Sequence, residues 1–200
     1  MPNRILILFA HPLFEKSNAN AALVNSIPKS DNITFHDLYQ EYPDFDVDMQ
    51  REQEMLLMHD IIIWHHPMYW YSCPPLLKQW IDIVLEHGWA YGKEGTALKG
   101  KQLLQVITTG GKKENYRASG RDRFTITQLL EPFNQTAKVC NLEYLPPFVI
   151  HGTHSMDEEG YLKYAKRYNQ LLLYLVNGNI TFNEVSGFEY LNDWLVTKLT

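Results

Sequence analysis

"RILILFAHPLFEKSNAN", Arg4 to Asn20, carries an apolar run into a loop and then into a segment of helical character. An Ile/Leu run without polar alternation fits a strand buried on both faces, the mark of a parallel sheet. The loop has neither G-x-G-x-x-G nor G-x-x-x-x-G-K-[ST], so a dinucleotide fingerprint and a P-loop are both absent. It offers instead Ser17 as a helix N-cap, the free amides of the first helical turn, Asn20 three residues on and His11 at the strand end. Helix N-termini attract phosphate through their dipole and their amide donors together. Taken singly, Ser17 reads as a plain cap and His11 as a core histidine; converging on one strand-to-helix loop with Asn20, they favour phosphate binding.

The same pattern repeats along the chain. Strand-length apolar runs lie at Ile5–Phe9, Ile33–Leu38, Ile61–Trp64, Leu103–Thr108 and Tyr144–Ile150. Amphipathic stretches fall between and after them, at Asn18–Ile27, Asp48–Met58, Pro74–Leu85, Thr125–Cys140 and Glu158–Val176. Alternation of this kind implies right-handed crossovers and an α/β fold with helices on both faces of the sheet. Five strands with five helices predict a parallel sheet in the flavodoxin-like order 2-1-3-4-5. Ligands of such sheets sit beyond the carboxyl ends of the strands, near the point where strand order reverses. That rule directs attention to the loops after strands one, three and four.

Residues 1–176 are expected to form this domain and residues 177–200 a C-terminal extension. The extension begins with the breaker "NGN" and places Phe188, Leu191, Leu195 and Leu199 at helical spacing. It reads as an added helix docked on the domain or on a partner subunit. Two hundred residues with 45% hydrophobic content suit one well-filled core. A net charge of −5 with dispersed basic residues gives no footprint for nucleic acid or simple adsorption to lipid. No apolar stretch approaches the ~20 residues of a membrane span, and two distant cysteines make neither a disulfide framework nor a zinc site. A cytoplasmic protein is expected.

Loop three, "HHPMYWYSCPP", sets Tyr69, Trp70 and Tyr71 directly after a buried strand, before Pro74-Pro75 open a helix. Three consecutive aromatics cannot all pack inward, which implies a planar ligand, a protein contact, or both. Loop four, "TTGGKKENYRASG", joins Thr108 and Thr109 to Gly110-Gly111, where the backbone can approach a ligand or simply turn tightly. His65-His66 lacks metal-ligand spacing, Cys73 reads as a buried small side chain, and "REQE" (Arg51 to Glu54) reads as a solvated helix face.

Together the three loops resemble those of the flavin-dependent NAD(P)H:quinone oxidoreductases of the flavodoxin-like fold, in order over about Arg4 to Gly152. Within that family, "HDLYQEYPDFDVDMQREQ", "YSCPPLLKQW" and "LKGKQLLQVITTG" are similar to the ancillary proteins of glutathione-regulated potassium-efflux antiporters. The resemblance implies a homodimer with FMN at the subunit interface, FAD being the alternative, and NAD(P)H as co-substrate. It implies that His11, Ser17, Ala19 and Asn20 surround the flavin phosphate and that Pro67, Met68, Tyr69, Trp70 and Tyr71 line the isoalloxazine. Thr108, Thr109, Gly110 and Gly111 would contact its other edge, Tyr116 would serve the substrate side as the catalytic residue, and Trp89 and Tyr91 would reach the neighbouring subunit's pocket.

The activity so implied is two-step hydride transfer from NAD(P)H through flavin to a quinone-type acceptor, with no metal. A different class of function, regulation of a potassium-efflux antiporter at the cytoplasmic face of the inner membrane, stands beside it. A flavodoxin-type electron carrier fits less well, because the first loop is bulky and the charge moderate. The mammalian relatives place a His shortly after the tyrosine matching Tyr116. Here "NYRASGRDR" has none, and Arg121 or Asp122 stands at about that place.

Overall fold

A computed structural model describes Met1 to Leu199, so Thr200, the last residue of the expected extension, lies outside the described residues. The sheet contains β1 (Ile5–Phe9), β2 (Ile33–Asp37), β3 (Ile61–Pro67) and β4 (Gln102–Thr109), followed by the short β5 (Glu143–Tyr144) and β6 (Phe148–His151). All pairings are parallel, and the order is β2-β1-β3-β4 with β5 and β6 both on the outer side of β4. This is the expected 2-1-3-4-5 order, the two short strands sharing the fifth place. The expected single strand is broken because Pro146-Pro147 cannot donate to the ladder. One extra residue bulges out there, since Tyr144 and Phe148 pair with Leu103 and Val106.

Helices α1 (Asn18–Asn25) and α7 (Glu158–Val176) pack together on one face, where they cover Ile5, Ile7, Ile61 and Ile63. The other face carries α2 (Leu38–Glu41), α3 (Met49–Leu57), α4 (Pro75–Val84), α5 (Ile126–Leu129) and α6 (Glu131–Val139) over Leu6, Leu8, Ile62 and Trp64. The alternate sides of β1 and β3 thus feed two separate clusters, as burial on both faces demands. At the edge, β2 departs from that pattern: Phe35 is exposed. The strand also stops one residue early, because the Asp37 carboxylate caps α2 by accepting from the Tyr39 and Gln40 amides.

The stretch expected as one helix, Thr125–Cys140, is two. Pro132 removes the donor that would bond back toward Gln128, while its fixed φ suits the first turn of α6. A second correction concerns "REQE": Arg51 and Glu54 are solvated, but Glu52 has no exposed surface. Its carboxylate accepts from His36 Nε2 at 2.8 Å, Tyr42 Oη at 2.6 Å and Trp80 Nε1 at 2.7 Å. It thereby ties β2, α3 and α4 under one sheet face.

After α7 the chain forms α8 (Phe182–Val185) and α9 (Leu191–Leu199) and docks on its own domain, α9 against β6 and α7. Leu191, Trp194 and Leu195 are buried there, whereas Leu199 at the end of the expected stripe is exposed. No described helix is long and apolar enough to cross a membrane.

Candidate functional site

Two adjoining cavities open at the carboxyl ends of β1, β3 and β4. The first, of about 450 Å³, is bounded by His11, Ser17, Ala19, Asn20, Pro67, Met68, Tyr69, Thr108 and Gly110. The second, of about 570 Å³, is bounded by Met68, Trp70, Tyr71, Thr109, Gly110, Gly111 and Tyr116. Met68, Gly110 and His154 belong to both, so the cavities share a wall. The residues expected around one flavin are brought together here, except Trp89 and Tyr91, which line neither cavity of this chain. Those two sit half-buried against the core in the loop after α4.

The first cavity ends on the start of α1. Ser17 Oγ caps the helix by accepting the Asn20 amide at 3.3 Å, which leaves Asn18 and Ala19 as first-turn amides without an intrahelical acceptor. The Asn20 side chain is buried and fully used. Its Nδ2 donates to Ser17 Oγ at 2.8 Å and Thr108 Oγ1 at 3.1 Å, and its Oδ1 accepts from His65 Nε2 at 3.2 Å. Asn20 therefore fixes loop one to β3 and β4 rather than standing free for a ligand. Burial lowers the His11 pKa, Glu15 opposing it, and Nδ1 accepts from the Leu13 amide at 3.1 Å.

Loop three is a tight hairpin turn closed by Ser72 N–H donating to Tyr69 O at 3.0 Å. Its central residues, Trp70 and Tyr71, have φ of 48° and 63°, a left-handed conformation rare for bulky side chains. The turn throws Trp70 outward, 93% exposed at the rim of the second cavity. Strain of this kind collects at functional sites. Cys73 is half-buried against the core, and burial pushes its thiol up to about 11.

In loop four the glycines make room for the protein's own side chains. A Cβ on Gly110 would stand 2.2 Å from the His154 ring, and one on Gly111 would stand 2.8 Å from the Tyr116 hydroxyl. Tyr116 is buried, with its hydroxyl hydrogen-bonded to Thr109 Oγ1, so it walls the second cavity from a fixed position. His65 and His66 are engaged inside the sheet, with Asn20 and with Gln105 respectively. Burial pushes them down to about 3 and about 4, so both stay uncharged. Among the described residues no group of His, Cys, Asp or Glu is arranged to hold a metal.

Sequence reading missed the loop after β6, "HGTHSM", which brings Thr153 and His154 into the site. The signal was available: this loop also follows a strand's carboxyl end, and Gly152 takes a left-handed φ of 74°. Lys16 was likewise missed as a cavity residue, whereas Lys112 and Arg121, both in stretches singled out from the sequence, line the second cavity. Among the described residues no carboxylate lines either cavity, in a chain of net charge −5. Arg121 is paired with the adjacent Asp122 at 3.0 Å, so the attraction for anions rests on Lys16 in the first cavity and Lys112 in the second.

These features fit a flavin mononucleotide: a wall of helix-terminal amides with Lys16 for the phosphate, then backbone-lined space flanked by aromatic side chains. The chain is 44% identical over 164 residues to general stress protein 14 of Bacillus subtilis, covering 82% of this chain and 94% of the relative. A crystal structure of general stress protein 14 from Treponema denticola in complex with FMN is 38% identical, with a TM-score of 0.82 over 86% of this chain and 99% of the other. An NADPH-quinone reductase structure from P. pentosaceus is 34% identical, with a TM-score of 0.77 over 84% and 97%. A family model described as the flavodoxin-like fold matches residues 3–172. With sheet order, site position and relatives in agreement, the chain belongs to this flavodoxin-like family.

Proposed function

We propose that this protein is an FMN-dependent NAD(P)H:quinone oxidoreductase. The observation that carries the reading is the pair of cavities sharing Met68, Gly110 and His154, one ending on the free amides of α1 and the other walled by Trp70, Tyr71 and Tyr116. When bound, FMN supplies the two-electron hydride chemistry. Ser17, the Asn18 and Ala19 amides and Lys16 hold the phosphate, and His11 closes that end as a neutral ring. The Pro67–Tyr71 and Thr108–Gly111 segments flank the ring system. The second cavity admits the nicotinamide nucleotide and then the acceptor, and Tyr116 donates a hydrogen bond toward whichever is present.

Homodimerisation belongs to the same proposal. The solvated Trp70 and Tyr71 leave an aromatic rim open to a second copy, whose Trp89 and Tyr91 would complete the pocket. The likeness to antiporter ancillary proteins has less support from the site. In "HDLYQEYPDFDVDMQREQ", His36, Tyr42 and Glu52 serve the buried carboxylate network, so that part of the stretch reports the fold.

The visible spectrum of the purified protein, followed by chromatography of the released flavin, tests the cofactor and separates FMN from FAD. A protein that cannot be reconstituted with either flavin overturns the reading. Tyr116→Phe is expected to keep bound flavin and lose turnover of NAD(P)H with a benzoquinone acceptor by about tenfold or more. Unchanged steady-state rates would remove Tyr116 from the mechanism.

A further inference from the structure

The segment after Asn177 lies beyond the stretch that the family model matches, yet it packs on β6, whose His151 lies against the cavity residue Tyr116. Its anchor is Asn192. The Val149 amide donates to Asn192 Oδ1 at 2.8 Å, and Asn192 Nδ2 donates to Val149 O at 3.0 Å. A side chain thus takes the place of a further strand on the open edge of β6. The Leu191 amide adds a bond to Pro147 O at 3.0 Å.

From that anchor Tyr190 is driven into the core, with 3% of its surface exposed. Its ring meets His151 edge-on, centroids 5.8 Å apart, and His151 in turn lies 5.8 Å from the Tyr116 ring. His151 is also the register partner of Thr109, whose hydroxyl holds that of Tyr116. Both ring nitrogens of His151 are buried without a hydrogen-bond partner, so this ring is held by packing. Burial keeps it uncharged by pushing its pKa down to about 4. The Lys113 ammonium also sits over the Tyr190 ring, 4.8 Å from its centroid, and 3.8 Å from Asp193 Oδ2. The extension therefore draws Lys113 to the outside of loop four, and its neighbour Lys112 lines the cavity.

We infer that Tyr190 is a positioning residue: through His151 and Lys113 it sets loop four so that Tyr116 and Lys112 face the second ligand. The inference rests on the proposed oxidoreductase reading for the identity of that ligand, and on packing alone for the placement. Tyr190→Leu keeps apolar volume but removes the ring, whereas Tyr190→Phe keeps the ring.

In the full-length protein, Tyr190→Leu is expected to speed amide exchange across residues 111–117 by about tenfold, the two ring contacts being lost together. It should raise KM for a benzoquinone acceptor about fivefold, with flavin affinity within about twofold of the parent. Tyr190→Phe should restore both. Asp193→Asn, a change at a half-exposed ion pair, should speed the same exchange by about twofold. Exchange and KM unchanged in Tyr190→Leu overturn the inference, and so does a Phe variant as impaired as the Leu variant. If Tyr190→Leu does not fold, the exchange rate in Asp193→Asn decides, and no change overturns. A parent protein that binds no flavin defeats the oxidoreductase reading, while the exchange measurement still decides the placement.

Discussion

Replacing Glu52 by Ala should be among the most destabilising single changes in this chain. The carboxylate has no exposed surface and accepts hydrogen bonds from His36, Tyr42 and Trp80 at 2.6 to 2.8 Å. All three donors are themselves buried, so removing Glu52 leaves each without its partner in the core. Hydrogen bonds to a charged group contribute about 1.5–3 kcal/mol each, but the carboxylate's own desolvation penalty disappears with it. The net cost is therefore about 3–5 kcal/mol, the range for breaking a buried charged network from one side. Against a total stability of roughly 5–15 kcal/mol this is a large share. Urea denaturation followed by tryptophan fluorescence measures it as a lower midpoint at unchanged m-value. Burial pushes the Glu52 carboxyl upward, yet the hydrogen bonds from His36, Tyr42 and Trp80 outweigh it and hold the pKa below its ordinary value. A carboxyl lowered on folding stabilises above its unfolded pKa, and that contribution fades as pH falls through the folded value. The gap between parent and variant should therefore narrow below about pH 4.3, the unfolded value for Glu. A loss under about 1 kcal/mol at neutral pH, or a gap that does not close in acid, would refute the reasoning.

Two further predictions concern the site. Asn20→Ala strands buried Thr108 and His65 and frees Ser17, so it should cost about 2–4 kcal/mol and weaken flavin binding about tenfold or more, measured by flavin titration; parent-like affinity would show that loop one needs no such tie. Gly111→Ala pushes on the Tyr116 hydroxyl and should cost about 1–3 kcal/mol by thermal unfolding, but clearly less in a Tyr116→Ala background; equal costs in the two backgrounds would mean that the contact is not what constrains the glycine.

Loop one shows how far local sequence reaches. Ser17, Asn20 and His11 were identifiable because a strand running into a helix creates a capped N-terminus whatever surrounds it. Their division of labour was not legible, since the partners of Asn20 lie 45 and 88 residues away in the chain. Glu52 makes the same point in reverse. Nothing local distinguishes it from its solvated neighbours Arg51 and Glu54, and only the arrival of Trp80 and His36 makes it internal. Thr153 and His154 were overlooked for the related reason that a loop's usefulness depends on which strand ends stand beside it.

Sequence alone dictates the alternation of strand and helix, the parallel sheet and its order, and the three loops at one end. Apolar runs buried on both faces, turn residues and helix caps are local, and the handed crossover leaves few topologies. Tertiary packing is what makes the cavities share a wall, turns Glu52 and Asn20 into buried ties, and sets the C-terminal extension as a brace behind Tyr116. Each of these depends on side chains distant in sequence meeting in a packed interior, where burial and hydrogen-bond partners are set by all the elements together.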